Sequence, residues 1–177
     1  MGARRATLII PKHCLVAAQP RAKLFEPAQS WFVAGRDSYT ADTSMKTTLH
    51  IAAACLFDQR GRLLLVRKRG TRFFMLPGGK REPGEDALAA LRRELQEELE
   101  LQLDDAALQP LGQFQAQAAN EADTWLHAEI FHAALPHVVQ AAAELEELRW
   151  LEAGQSLPDD LAPLLREQVL PALQRLC

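Results

Sequence analysis

The feature that most constrains this chain is the spacing inside one stretch, Gly79 to Leu101, which reads GKREPGEDALAALRRELQEELEL. Glycine and a Pro83-Gly84 turn open it, and a helix is expected from about Asp86 to Leu99. Leu88, Leu91, Leu95 and Leu99 recur at helical period and form a core stripe. Glu94, Glu97 and Glu98 stand at i, i+3 and i+4, so the same helix brings all three to one side of that stripe. Ala87 and Ala90 lie on that side in the preceding turns and leave room beside the carboxylates, whereas Arg92, Gln96 and Glu100 face elsewhere. Like charges at this spacing repel by roughly 0.2–0.5 kcal/mol per pair. The chain either tolerates that repulsion on a solvated face or holds a cation there. A glutamate-rich helix alone would be a solvated face; the glycines ahead of it, at fixed distance, favour the cation. The acidic set is expected to border the core, as the wall of a cleft does.

With 177 residues the chain has room for one domain, or one domain with an appendage. Its 48% apolar and 24% charged residues are those of an ordinary globular protein. A net charge of −3 argues against general nucleic-acid binding and leads us to expect no stable nucleic-acid complex. A small phosphorylated substrate stays open, because local cations or a metal can meet its charge. Cys14, Cys55 and Cys177 are scattered, form no Cys-x-x-Cys pair and point to a reducing, cytoplasmic setting. No apolar run approaches the roughly 18–20 residues of a membrane span, so no membrane partner is expected. The basic N-terminus is interrupted by Pro11, Lys12 and His13, which disfavours a secretory signal and leaves a transit peptide as the alternative.

Residues 1–44 read differently from the rest. Short strands are expected at Thr7–Ile10, Cys14–Ala18 and Trp31–Val33, separated by Pro20, Pro27 and polar clusters. We read 1–44 as an appendage, disordered or an upstream extension, with Met45 opening a compact domain over 45–177. The competing reading makes the segment extra strands or a dimer contact; the state expected is monomer or homodimer. From Leu49 the pattern sharpens. Leu49–Phe57 and Arg62–Lys68 read as strands joined at Asp58–Gly61 in a hairpin, and Phe73–Leu76 as a short third strand. Leu111–Ala116 and Trp125–Leu135 read as strands around a polar loop, Gln117–Thr124, placed to overhang a site. Ala141–Glu147 is helix-prone, Leu148–Leu151 a strand, and a last helix starts at an Asp159 or Asp160 cap, with Pro163 in its first turn and Pro171 kinking or ending it.

The stretch resembles the Nudix box, the loop–helix signature of the Nudix hydrolases. Gly79, Glu85, Arg93-Glu94-Leu95-Gln96-Glu97-Glu98 and Leu101 fall at its constrained positions. Leu76-Pro77-Gly78-Gly79-Lys80 is similar to the usual lead-in, and Leu148-Arg149-Trp150-Leu151 to a common later strand. The departure is Glu100, where the family usually has glycine. A left-handed residue there costs a non-glycine on the order of 1 kcal/mol, so the helix is expected to exit differently or to run one residue further.

The resemblance implies an α/β fold, a Nudix-type α/β/α sandwich with a mixed β-sheet. It implies hydrolysis of a pyrophosphate bond in a nucleoside diphosphate linked to X: a nucleoside triphosphate, a nucleotide sugar or a dinucleoside polyphosphate. It implies that Glu94, Glu97 and Glu98 bind Mg²⁺ or Mn²⁺, with Gly78 as a possible further ligand, and that Glu85 and Arg93 complete the catalytic set. Independently, hard divalent cations take carboxylate and carbonyl oxygens and activate water beside phosphate. Glu144 and Glu147 are candidates for an additional ligand or base. Gly78, Gly79 and Lys80, with Arg67 and Lys68 at the end of the second strand and Arg69 and Arg72 in the basic loop after it, are candidates for holding or steering a polyphosphate. Phe73, Phe74, Trp125 and Trp150 are read as core, and His127, His132, His137, His13 and His50 as structural or surface. The alternative function is a nucleotide-sensing module of the same fold without turnover, which the intact acidic set disfavours.

Overall fold

The structure, a computed structural model, describes residues 47–175. The strands expected before Thr47, and the start at Met45, lie outside them. The sheet is built on β1 (Thr47–Phe57), whose residues from Ala52 to Phe57 are buried, as a strand covered on both faces must be. Along its whole length β1 pairs in parallel with β5 (Thr124–Ala134), and β4 (Gln109–Gln117) pairs antiparallel outside that. On its other side β1 carries β3 (Gly78–Lys80) and, beyond the turn, β2 (Leu63–Lys68), which pairs with β6 (Leu145–Leu151). The order is β4-β5-β1-β2-β6, with β3 attached to β1; the sheet is mixed, as the resemblance implies.

The expected hairpin forms only at its tip. Gly61, at φ 76°, donates to the Asp58 carbonyl at 2.9 Å, and the Asp58 carboxylate accepts from the Arg60 and Arg62 amides at 2.9 and 2.8 Å. Beyond Phe57↔Leu63 the two strands part. Each finds a better partner elsewhere: β2 takes β6, and β1 takes β3 through Ile51↔Lys80, Ala52↔Gly79 and Ala53↔Gly78. The third strand is therefore Gly78–Lys80. Phe73–Leu76 contributes isolated bridges, Val66↔Met75 and Phe74↔Leu161, that fill the fork between β1 and β2. Likewise Ala141–Glu147 is not helical. A turn leads into β6, whose pairing with β2 overrides a weak local helix preference.

One face of the sheet, carrying Ala52, Ala54, Leu56, Leu64 and Val66, is covered by α1 (Ala87–Leu99). The other, carrying Ala53, Cys55, Phe57, Leu63 and Leu65, is covered by the C-terminal helix. Asp86 N-caps α1, its carboxylate accepting from Ala89 N–H at 2.8 Å. At the other end the expectation of an altered exit fails. The helix stops at Leu99, and Glu100 itself takes the left-handed conformation, φ 52° and ψ 31°, that glycine would take. Packing of Leu99 and Leu101, both almost fully buried, holds it there.

The C-terminal helix is irregular. It opens at Pro163, with neither Asp159 nor Asp160 as a side-chain cap. Asp160 instead takes both carboxylate oxygens to Arg149 Nη1 at 2.9 Å. Leu164–Val169 is π-helical and passes into α2 (Leu170–Arg175) without stopping at Pro171. A proline lacks the N–H and crowds the carbonyl four residues back. The widened turn, in which Leu170 N–H reaches Leu165 O, ends just before Pro171 and accommodates it without a break.

Candidate active site

Because β1 and β2 part, a cleft of about 640 Å³ opens at the fork, floored by Gly78 and Gly79. Its polar wall is α1, which presents Glu94, Glu97 and Glu98. The three carboxylates are not equivalent, although the helical wheel makes them so. Glu97 is exposed, Glu94 is mostly covered, and Glu98 is only 1% exposed. The acidic set thus does not merely border the core: Glu98 lies inside it.

Each glycine sits at a close approach. A Cβ on Gly79 would sit 2.4 Å from the Glu94 carboxyl carbon. Gly78 has φ +134°, and a Cβ there would lie 2.2 Å from the Ala52 carbonyl oxygen. Its amide donates to Glu98 Oε2 at 3.0 Å. Arg93 stands behind the wall. Its guanidinium donates to both oxygens of Glu85 (3.1 and 3.0 Å), to Glu94 Oε1 (2.9 Å) and to the Lys80 carbonyl (3.0 Å). These bonds hold the Glu85 carboxyl below its ordinary range, chiefly through Arg93. Arg81 extends the clamp, donating to the Glu85 carbonyl and to Glu129. Neither Glu85 nor Arg93 lines the cleft; they orient what does.

Opposite the helix the turn before β6 brings Glu144 to the cleft. Ala142 N–H donates to the Glu98 carbonyl at 2.8 Å, and Arg69 N–H to the Glu144 carbonyl at 2.8 Å, docking the turn onto the end of α1. Ala143, at φ 48°, is a non-glycine held left-handed there, a strain of about 1 kcal/mol that the docking sustains. Lys68 bridges the walls, with its ammonium 3.1 Å from Glu98 Oε1 and hydrogen-bonded to Glu144. Burial drives the Glu98 carboxyl up to about 7, against the pull of Lys68 and the Gly78 amide. Burial works to lower the Lys68 pKa, but Glu144 and Glu98 outweigh it and the net shift is upward.

The far end of the cleft is apolar. Leu49, Ile51 and Leu126 form the sheet side and Ala162–Leu165 the helix side. The loop Gln117–Glu121 overhangs it as expected, latched by Glu121 to Lys80 at 3.0 Å. Of Arg67, Lys68, Arg69 and Arg72, only Lys68 lines the cleft. Arg67 is paired to Glu146 (3.1 Å) and Glu147 (2.8 Å), Arg69 donates to the Ala143 carbonyl, and Arg72 lies over Phe73. Glu147, in that pair with Arg67, does not line the cleft either. Phe74 is core; Trp125, expected in the core, is 41% exposed, at an end of the sheet where its ladder neighbours Thr48 and Gln117 are exposed too. Sequence reading did not place an apolar wall beside the acidic set, although Leu164 and Leu165 stand on the apolar side of the last helix with Leu161 and Val169.

Among the described residues no three acidic or imidazole groups already converge on one point. The donor set nonetheless fits a hard divalent cation. Glu98 Oε1 is a buried carboxylate oxygen without a hydrogen bond, and Gly79 leaves the Glu94 carboxylate a cradle that a Cβ would fill.

The fold and this acidic cleft define a Nudix hydrolase. The NUDIX domain model matches residues 47–173, and the chain belongs to that family, whose enzyme class is the Nudix pyrophosphohydrolases. Among solved structures it is similar to a MutT NUDIX hydrolase from Burkholderia pseudomallei, at 23% identity and a TM-score of 0.59, covering 74% of this chain and 99% of that one. It is also similar to a MutT protein from Methanosarcina mazei Go1, at 20% identity and a TM-score of 0.56, covering 76% and 96%. A third is a bifunctional NMN adenylyltransferase/ADP ribose pyrophosphatase from Francisella tularensis complexed with AMP and a Mn ion, at 18% identity, TM-score 0.54, covering 76% and 44%. Among curated proteins none matches. None of the described helices is long and apolar enough to cross a membrane.

Proposed function

We propose that this chain hydrolyses a pyrophosphate bond in a small nucleoside diphosphate derivative, with Mg²⁺ or Mn²⁺ held by Glu94, Glu97 and Glu98. The observation that carries the reading is Glu98 Oε1, a buried oxygen of a cleft-lining residue with no hydrogen bond. The Lys68 ammonium, 3.1 Å away, meets part of its charge, and a divalent cation would supply the coordination it lacks. The bound ion would supply charge neutralisation of the phosphates and activation of water. The chain's own residues do the rest. Arg93, charged and forked, fixes Glu85 and Glu94; the Gly78 amide fixes Glu98; Lys80 is the ammonium beside which a polyphosphate would lie. Glu144, on the opposite wall and open to solvent, is our candidate for a fourth acid or the base that accepts a proton from water.

A cleft of about 640 Å³ is within the range of small-ligand sites, which supports a nucleotide-sized substrate: a nucleoside triphosphate, a nucleotide sugar or a dinucleoside polyphosphate. The Francisella protein, crystallised with AMP and manganese, supports the same ligand class by analogy of fold. Incubating the full chain with a panel of such nucleotides and Mg²⁺ or Mn²⁺ should release pyrophosphate-cleavage products from at least one. Glu97→Gln or Glu98→Gln should lower that rate by about two orders of magnitude or more while circular dichroism stays unchanged. Tight nucleotide binding with no metal-dependent cleavage across the panel would favour a sensing module instead.

We also propose that the domain is 45–177, with 1–44 an appendage. Removing 1–44 should leave cooperative unfolding intact; an unfolded fragment would make those residues part of the fold.

A further inference from the structure

Lys68 is the last residue of β2, and its position is arranged by the sheet. The register of β2 on β6 runs Arg67↔Glu147 and then Lys68↔Leu145, so Glu146 is an extra residue in β6 at that point. A bulge of this kind bends the ladder and re-aims side chains. Arg67 stays with Glu146 and Glu147, while Lys68 enters the cleft and meets Glu98 and Glu144.

Two properties of the Glu98 contact are unusual for a structural ion pair. The carboxylate is 1% exposed and has one oxygen tied to the Gly78 amide, yet the oxygen facing Lys68 receives no hydrogen bond of good geometry. The ammonium is near, at 3.1 Å, and compensates Glu98 chiefly by charge. Its directed hydrogen bond goes to Glu144. An ammonium so placed neutralises a buried carboxylate that would otherwise be uncompensated, and it occupies the space a divalent cation needs. A divalent ion carries twice the charge and approaches a carboxylate oxygen to about 2.0–2.1 Å, so it displaces the weaker, undirected contact.

We propose that Lys68 is an internal counter-cation that competes with the divalent metal for Glu98. Without metal it holds the polar wall and the Glu144 turn together; when metal arrives it gives up Glu98 and stays tethered to Glu144. The inference rests on the reading that the cleft binds a divalent cation, and it makes Lys68 a positioning residue acting through Glu98 rather than one defined by contact with substrate.

The test compares Mn²⁺ binding by the full-length wild type and Lys68→Met, which keeps side-chain length and removes the charge. The dissociation constant, from calorimetry or from the electron paramagnetic signal of free Mn²⁺, should fall at least several-fold in the variant. The metal-free variant should melt below wild type, and Mn²⁺ should raise its Tm by more than it raises that of wild type. Lys68→Arg should restore the metal-free Tm, a rescue that lost packing alone would not require. A variant that folds only with Mn²⁺ present is the extreme form of the expected result. Unchanged or weaker Mn²⁺ binding by Lys68→Met overturns the competition while leaving the metal site standing. A wild type that takes up no Mn²⁺ overturns both this inference and the proposed function. Should Lys68→Met not fold under any condition, the wild type decides. Acetylation of Lys68, followed by peptide mass spectrometry, should increase on Mn²⁺ saturation, and no increase overturns the proposal.

Discussion

Two helices cover the two faces of one sheet, and both reach the cleft, but they are built by different means. Helix α1 is regular, capped by Asp86, backed by the Arg93 network and seated on Gly78, which has no room for a side chain, and Gly79, which makes room for the Glu94 carboxylate. The C-terminal helix has no side-chain cap, widens into a π-turn and offers the cleft only Ala162, Pro163, Leu164 and Leu165. The difference follows from what each wall has to do. Carboxylates that hold a small hard cation work only at fixed separations, and their desolvation must be offset by directed bonds. An apolar wall needs only shape and exclusion of water, which a distorted helix supplies as well as a regular one. On the proposed function, the polar wall would carry the chemistry and the apolar wall would select the non-phosphate part of a substrate.

The sharpest way to break this contrast is Gly78→Ala. The added methyl would meet backbone at 2.2 and 2.7 Å with no flexible side chain to yield. We expect a loss of about 4 kcal/mol or more in chemical denaturation. A loss below about 1 kcal/mol would show that the polar wall is not rigid. Next comes Leu165→Ala on the apolar wall, where a residue 1% exposed leaves a cavity. It should cost about 3 kcal/mol and, if the walls divide their work as described, alter KM among nucleotides while leaving Mn²⁺ affinity near wild type.

Smaller effects of opposite sign sharpen the picture of α1. Asp86→Ala removes the cap and should cost about 1 kcal/mol. Glu100→Gly relieves the left-handed strain and should raise stability by about 1 kcal/mol, with a matching rise in Tm. The smallest expected effect lies far from the cleft, in the β1–β2 turn. Burial works to raise the Asp58 pKa, but bonds from Arg62 and Arg60 outweigh it and hold the carboxyl below its ordinary value. A depressed folded pKa means stability that is present above the unfolded value near 3.8 and is lost as pH falls through the lower folded value. Asp58→Asn should flatten the stability profile across that acidic window, and an unchanged slope would remove Asp58 as its source.

What sequence reading recovered is what local geometry controls. The helix from about Asp86, the shared face of Glu94, Glu97 and Glu98, and the overhang of Gln117–Thr124 all follow from helical period or turn chemistry within a few residues. What it missed depends on distant partners. The β1–β2 hairpin yields to β3 and to the parallel pairing with β5, more than sixty residues along the chain. The helix preference of Ala141–Glu147 yields to the ladder with β2. Glu100 bends left-handed because the buried leucines on either side of it leave no other exit.

By itself the sequence determined that three carboxylates share one side of a helix behind a glycine floor, because i, i+3 and i+4 are neighbours on any α-helix. Only the tertiary structure decided that Glu98 goes inside while Glu97 stays out, that Lys68 rather than Arg67 enters the cleft, and that Glu144 faces them from the other wall. Those outcomes depend on where two strands part and on a single extra residue in β6. Burial and long-range charge come from packing, and no local spacing encodes them.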